Sequence, residues 1–268
     1  MSTSARHQTG LRQFAEVMTF EPPDDDSPTT KNLIDFVFAE VWQRPGLSRR
    51  DRRFITLACV AAADASGPLR DHVYAALRTG DVTIAEIREA VLHFAVYAGW
   101  PKASWFNMVV DEQWQRVNDE RGQRMPDPEP LLPLTTPSDP EARLATGEQS
   151  FRDVNCLPYA PLRDNPFQGA GILNFVFGEM WLRPGLGMKE RRLITVACVA
   201  FQDAEIPILS HVYAALKSRD LSFDEMDELA LHFAAYYGWP KASHLNEVIA
   251  AQKLRVLDEW AAEAEAAS

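Results

Sequence analysis

Apolar residues recur at helical spacing along almost the whole chain. Between Asn32 and Gln43, Leu33, Phe36, Val37 and Val41 share one side, which predicts a helix. Arg-Pro-Gly then breaks the chain. Ser48, with Asp51 three residues on, caps a helix expected to run to Asp64; the corresponding Gly187 and Glu190 give a weaker start. Pro68 to Thr79 and Pro207 to Ser218 each carry proline in the first turn. Thr83 with Glu86, and Ser222 with Glu225, form capping boxes for helices that stop at Gly99 and Gly238. Pro101 and Pro240 open final helices reaching about Asp119 and Ala262. No segment alternates with period two, so the expected fold is all-α.

The pattern is written twice. FVFAEVWQRPGL from Phe36 returns as FVFGEMWLRPGL from Phe175, and RRFITLACVAAADA from Arg52 as RRLITVACVAFQDA from Arg191. HVYAAL follows from His72 and again from His211, and LHFAVYAGWPKAS from Leu92 returns as LHFAAYYGWPKAS from Leu231. The spacing is constant, and more than half of the aligned positions are identical, which marks an internal repeat. A short helix precedes each block, ARHQTGLRQFAEV from Ala5 and ARLATGEQSFRDV from Ala142. Six prolines from Pro126 to Pro140 exclude helix between the copies and read as an extended linker. The expected division is a first unit at 1–125, a linker at 126–140 and a second unit at 141–268, with the units related by a pseudo-twofold axis.

Net charge narrows the partners. At -11 over 268 residues, the chain is unsuited to nucleic acid or an anionic membrane. An anionic small molecule would need a local cluster of Arg, Lys or His. The N-terminal stretch lacks an apolar core, and no long apolar run occurs, so a soluble cytoplasmic protein is expected. Cys59 and Cys198 sit in apolar runs and read as small buried hydrophobes.

Polar residues retained in both copies are the candidates for chemistry. His72 pairs with His211 and His93 with His232, whereas His7 and His244 have no counterpart. Retained cations are Arg44 and Arg183 of the RPGL turns, Arg52 and Arg53 with Arg191 and Arg192, and Lys102 with Lys241. Adjacent arginines cannot share a helix face, so one of Arg52 and Arg53 is expected to point inward, where it could hold a carboxylate. The lysines read as helix-end partners or solvated charges. Glu89 stands four residues before His93, on the same face, and either orients that imidazole or meets water. Trp42, Trp181, Tyr97 and Tyr236 read as core or interface residues. No metal-binding His spacing, Gly-rich phosphate loop or GxSxG is present.

The order of these motifs, from EVWxRPGL through HVYAAL to YAGWPKA, resembles the carboxymuconolactone decarboxylase family. That all-α superfamily also contains the AhpD alkylhydroperoxidases. Ala65 and Pro68, and Ala204 and Pro207, fall where the peroxidase branch has its two cysteines, which excludes disulfide-based peroxidase chemistry. Arg53 and Arg192 stand where the family commonly carries Glu, which suggests a more cationic pocket. The resemblance implies cofactor-free decarboxylation of a small anionic lactone or unsaturated acid, with no metal. His72, His211, His93 and His232 would be catalytic, and Arg44, Arg52, Arg53, Arg183, Arg191 and Arg192 would hold substrate. Each unit would place its own two histidines around one cavity. The resemblance also implies a homotrimer, a pseudo-hexamer of units. Rival readings are a repurposed lactone hydrolase, dehydratase or isomerase, or a non-catalytic binding or scaffold protein. Where unit 1 has Ala62, Ala63, Ala98 and Trp105, unit 2 has Phe201, Gln202, Tyr237 and His244, so the larger cavity is expected in unit 1.

Overall fold

A computed structural model describes residues 4–126 and 134–267. Among these residues the chain is helical without a strand. Unit 1 contains α1 (Ala5–Met18), α2 (Pro28–Asn32), a wide π-helix π1 (Leu33–Trp42), α3 (Arg49–Ala62), α4 (Ser66–Thr79), α5 (Ile84–Ala98) and α6 (Trp100–Glu120). Unit 2 repeats the order with α7 (Pro140–Asn155), π2 (Phe167–Phe177), a single 3-10 turn (Met180–Leu182), α8 (Met188–Phe201), α9 (Glu205–Lys217), α10 (Phe223–Tyr237) and α11 (Trp239–Ala266). Residues 127–133 of the expected linker fall outside the described residues; its end, Pro140, opens α7 behind the N-cap Asp139.

The capping signals act as read. Ser48 with Asp51, Thr83 with Glu86, and Ser222 with Glu225 close reciprocal capping boxes, while Gly187 caps α8 without a side chain. Gly99 and Gly238 end α5 and α10 at φ of 87° and 112°, a region open to glycine. The departure from expectation is the first long helix of each unit, which widens to π geometry, a form frequent at functional sites. Gly10 and Gly147, equivalent residues of α1 and α7, explain part of the packing there. A Cβ on either would strike a carbonyl of the π-helix it crosses, that of Ile34 or Leu173.

The two units share one core. α3 packs on α8, α10 of unit 2 packs on α3 of unit 1, and α5 of unit 1 packs on α8 of unit 2. A single apolar cluster holds Phe54, Phe94 and Phe106 together with Phe233, Leu193 and Leu229. Each such buried side chain stabilises by about 1.5–3 kcal/mol relative to exposure. Ion pairs cross the seam in swap-related sets, as the pseudo-twofold requires: Arg50 to Glu190 at 3.3 Å with Lys189 to Asp51 at 3.0 Å, and Arg44 to Glu228 at 2.6 Å with Arg183 to Glu89 at 2.7 Å. The Arg183–Glu89 pair is bidentate and nearly buried, the kind whose disruption on one side leaves a charge stranded. Gly46 of the first RPGL turn is needed for this approach, since a Cβ there would lie 2.5 Å from Glu228 Cγ.

Candidate active site

The seam between units also builds the site. Trp42 ends π1, His72 faces inward from α4, and Thr56 and Arg52 occupy one face of α3. Across the seam, α10 contributes His232 and Tyr236, four residues apart and on one face. Trp42 and His72 lie nearly parallel with centroids 6.1 Å apart, and Tyr236 meets His72 edge-on at 5.3 Å. Trp42 Nε1 donates to Tyr236 Oη at 2.7 Å, and Thr56 Oγ1 lies 2.7 Å from His232 Nε2. Arg52 is fully buried; it donates to Glu228 at 2.9 Å and to the Arg44 carbonyl at 2.9 Å, and its Nη1 lies 3.4 Å from His232 Nδ1.

A cavity of about 320 Å³ opens beside this group. Its wall is largely apolar, with Phe14, Phe20, Leu33, Val37 and Phe38 from unit 1; its polar residues are Asp71, His72 and Tyr236. No lysine or arginine lines it. Burial, with the nearby Arg53 charge adding to it, pushes the His72 imidazole down to about 3, so it is neutral at physiological pH. Burial also holds His232 well below its ordinary value, with Arg52 acting in the same direction. The same burial raises the Tyr236 hydroxyl, which therefore stays protonated. Asp71 is raised by burial as well, against the pull of Arg116.

Unit exchange reproduces the arrangement. Trp181 donates to Tyr97 Oη at 2.9 Å, Thr195 lies 2.8 Å from His93 Nε2, and Arg191 Nη1 lies 3.3 Å from His93 Nδ1. Here Tyr97 Oη reaches His211 Nε2 at 3.4 Å. His72 Nδ1 and His211 Nδ1 are both buried without a protein partner. Buried polar atoms are normally satisfied; the same exception recurs at Arg53 and Arg192 Nη1 and at Gln113 and Gln252 Oε1, and of these His72 is the one that borders the cavity.

All four predicted histidines are buried in these two groups, but the pairing is crossed. His72 stands with His232, and His211 with His93, so neither unit holds its own pair. The reason is the docking of α10 on α3 and of α5 on α8, which carries each GWPKA-side histidine to the other unit. Both arginines of each adjacent pair are buried, rather than one. Arg53 donates to Asp81 at 3.2 Å and to the Val17 carbonyl, and lies over the Trp42 ring. Arg192 does the same with Asp220, Val154 and Trp181. The pocket is therefore not more cationic, because a buried guanidinium needs local carboxylates and finds them within the protein. Arg44 and Arg183 are engaged with Glu228 and Glu89, which settles the role of those acids: they clamp arginines rather than meet water. Lys102 and Lys241 are helix-end partners, each bound to the left-handed Asp64 or Asp203 at the end of α3 or α8.

Tyr97, Tyr236, Trp42, Trp181, Thr56 and Thr195 were not expected in the site. Their retention in both copies was the available signal, and their apolar bodies masked it. Of the bulky replacements in unit 2, Phe201 and Tyr237 pack on each other with centroids 5.5 Å apart. Gln202, in the position of the cavity-lining Ala63, hydrogen bonds to the Tyr97 carbonyl at 2.5 Å. Among the described residues, no group of three or more His, Cys, Asp or Glu is placed to hold a metal ion. No helix among them is long and apolar enough to cross a membrane.

This fold of paired helical units, with a histidine–tyrosine–tryptophan group at each seam, meets its relatives at the level of sequence. The model of the carboxymuconolactone decarboxylase family matches residues 28–112 and 169–251, and the chain belongs to that family. It is 34% identical over 112 residues to the 4-carboxymuconolactone decarboxylase of Acinetobacter baylyi, covering 39% of this chain and 83% of that protein. It is 43% identical over 74 residues to the nitrosuccinic acid decarboxylase of Metarhizium robertsii, covering 28% of this chain and 51% of that protein.

Proposed function

We propose that the chain decarboxylates a small carboxylic acid whose electron pair, left behind by CO2, spreads into a neighbouring unsaturated group or lactone carbonyl. Membership of a decarboxylase family supports the class of reaction. The observation that carries the reading further is the cavity itself, an apolar chamber with one neutral imidazole and one protonated phenol. Moving a carboxylate from water into such a chamber favours the step that disperses its charge. A neutral imidazole hydrogen-bonds the developing anion and manages the proton that carbon takes up. The substrate is its own electron sink, so the proposed reaction calls for no cofactor and no metal.

The lining also shapes the substrate. Both relatives are named for dicarboxylic acids, yet here the arginines are spent on Glu228, Glu89, Asp81 and Asp220, and Asp71 borders the cavity. A second carboxylate would meet Asp71, with no lysine or arginine lining the cavity to bind it. The substrate proposed is therefore a largely apolar monocarboxylate, an unsaturated acid or carboxylated lactone. CO2 release from 4-carboxymuconolactone, nitrosuccinate and a series of unsaturated monocarboxylic acids would test this. Turnover concentrated among the monocarboxylates is expected; lactone opening without CO2 would favour a hydrolase, and no turnover of any kind a binding protein. The homotrimer remains part of the proposal, supported by the exposed and equivalent Trp100 and Trp239, and a monomer in light scattering would remove it.

A further inference from the structure

We propose that Tyr236, and Tyr97 in the second site, is the hydrogen-bond donor to the anionic oxygen that forms during turnover, and that Trp42, Thr56 and His232 fix the direction of its O–H. The direction follows from hydrogen-bond accounting. Arg52 only donates, so its contact at 3.4 Å makes His232 Nδ1 an acceptor. His232 is neutral and has one N–H, which must then sit on Nε2 and point at Thr56 Oγ1, 2.7 Å away. Thr56 thereby accepts from His232, and its own proton is left free to turn toward the neighbouring Tyr236. Trp42 Nε1 only donates, and does so to the same Tyr236 Oη at 2.7 Å. With the indole N–H donating to the phenol oxygen from the protein side, the phenol's own proton goes outward. Tyr236 lines the cavity, beside His72.

The second copy repeats the links from Arg191 through His93 to Thr195 and from Trp181 to Tyr97; there Tyr97 Oη also lies 3.4 Å from His211 Nε2, an acceptor that a bound anion would replace. A donor feeding a hydroxyl strengthens that hydroxyl's own donation, and in a dry site a fixed donor is worth more than in water. The donor of each site stands on one unit and the histidine beside it on the other, so each site needs both units. In the reaction, the bond from carbon to CO2 breaks and its electron pair moves through the unsaturated system to the sink oxygen. Tyr236 O–H binds that oxygen and keeps its proton. CO2 leaves, and the carbon then takes a proton from solvent by way of His72.

This inference rests on the decarboxylase reading for its substrate, but its test does not. The probe is 4-nitrophenolate, an apolar monoanion whose absorption shifts to the blue when its oxygen accepts a hydrogen bond. The full chain should bind it with a blue shift relative to the same anion in an aprotic solvent. Tyr236→Phe should weaken binding by about ten- to a hundred-fold and abolish the shift, the usual loss for a hydrogen bond to a charged group. Thr56→Val, nearly isosteric, should keep the fold and lose part of the shift, which covers the case of a Tyr236→Phe chain that does not fold. On a turned-over acid, Tyr236→Phe should lower kcat by about 100-fold with KM little changed. Unaltered affinity and spectrum in Tyr236→Phe, or no binding by the unaltered chain, would overturn the donor role. A blue shift lost in Tyr236→Phe, with no CO2 released from any acid by the unaltered chain, would leave the donor standing and remove the decarboxylase reading.

Discussion

His72→Asn is expected to remove most of the turnover of the chain, whereas His211→Asn leaves most of it. Loss of an acid–base group lowers the rate of its own site by about 100- to 10,000-fold. What remains after His72→Asn is then the share of the second site. That share should be the smaller one, for a specific reason. Ala63 lines the cavity beside His72, while Gln202 takes its place beside His211 and bonds across to the Tyr97 carbonyl. Tyr97 itself leans on His211 at 3.4 Å, so its hydroxyl already has an acceptor. Gln202→Ala should therefore raise the contribution of the second site, seen as a higher residual rate in the His72→Asn background. Initial rates on one acid for the three variants check this. Equal losses from His72→Asn and His211→Asn would mean equivalent or interdependent sites.

The all-α fold, its caps and its repeat were legible because they are local. Ser48 with Asp51 and Thr83 with Glu86 specify helix starts from residues three apart, and nothing distant can change that. The candidate histidines stood out in the repeat, since two copies kept them while neighbours drifted, and the structure buries all four at the seam. Their partners were not legible. That His72 meets His232 rather than His93 depends on how α10 settles on α3, a matter of two packed surfaces far apart in sequence. The fate of the arginines was hidden for the same reason. Arg53 looks like a substrate ligand until Asp81 and the end of α1 are seen around it. Tyr236 is the mirror case. An aromatic on a helical face usually means core, and only the Trp42 N–H at its hydroxyl and the cavity beside it point to the role proposed for it.

Acid should unfold this protein at a mildly acidic pH, well before ordinary carboxylates titrate. Four imidazoles, His72, His93, His211 and His232, are buried and neutral in the fold. Burial is the first cause in each case, with arginine charges adding to it: Arg53 for His72, Arg191 for His93, Arg192 for His211 and Arg52 for His232. Folded His72 and His211 take up a proton only near pH 3, whereas the unfolded chain does so near the ordinary histidine value of about 6.5. Below that value the unfolded state binds more protons than the folded one, so stability falls as pH falls. The loss begins near pH 6.5 and continues toward about 3. Between pH 7 and 5 His72 and His211 each contribute a loss of about 2 kcal/mol, roughly 4 kcal/mol for the two, and His93 and His232 add to it in the same direction. A typical domain has about 5–15 kcal/mol in hand, so the combined loss removes a large share of it and brings unfolding toward mildly acidic pH. Glu228 and Asp81, held low by their arginines, add a further loss of the same sign at lower pH. Urea unfolding at a series of pH values would measure the slope, and His72→Asn should make it shallower by one proton. A free energy of unfolding that stays level from pH 7 to pH 5 would show that these imidazoles carry their protons in the folded state.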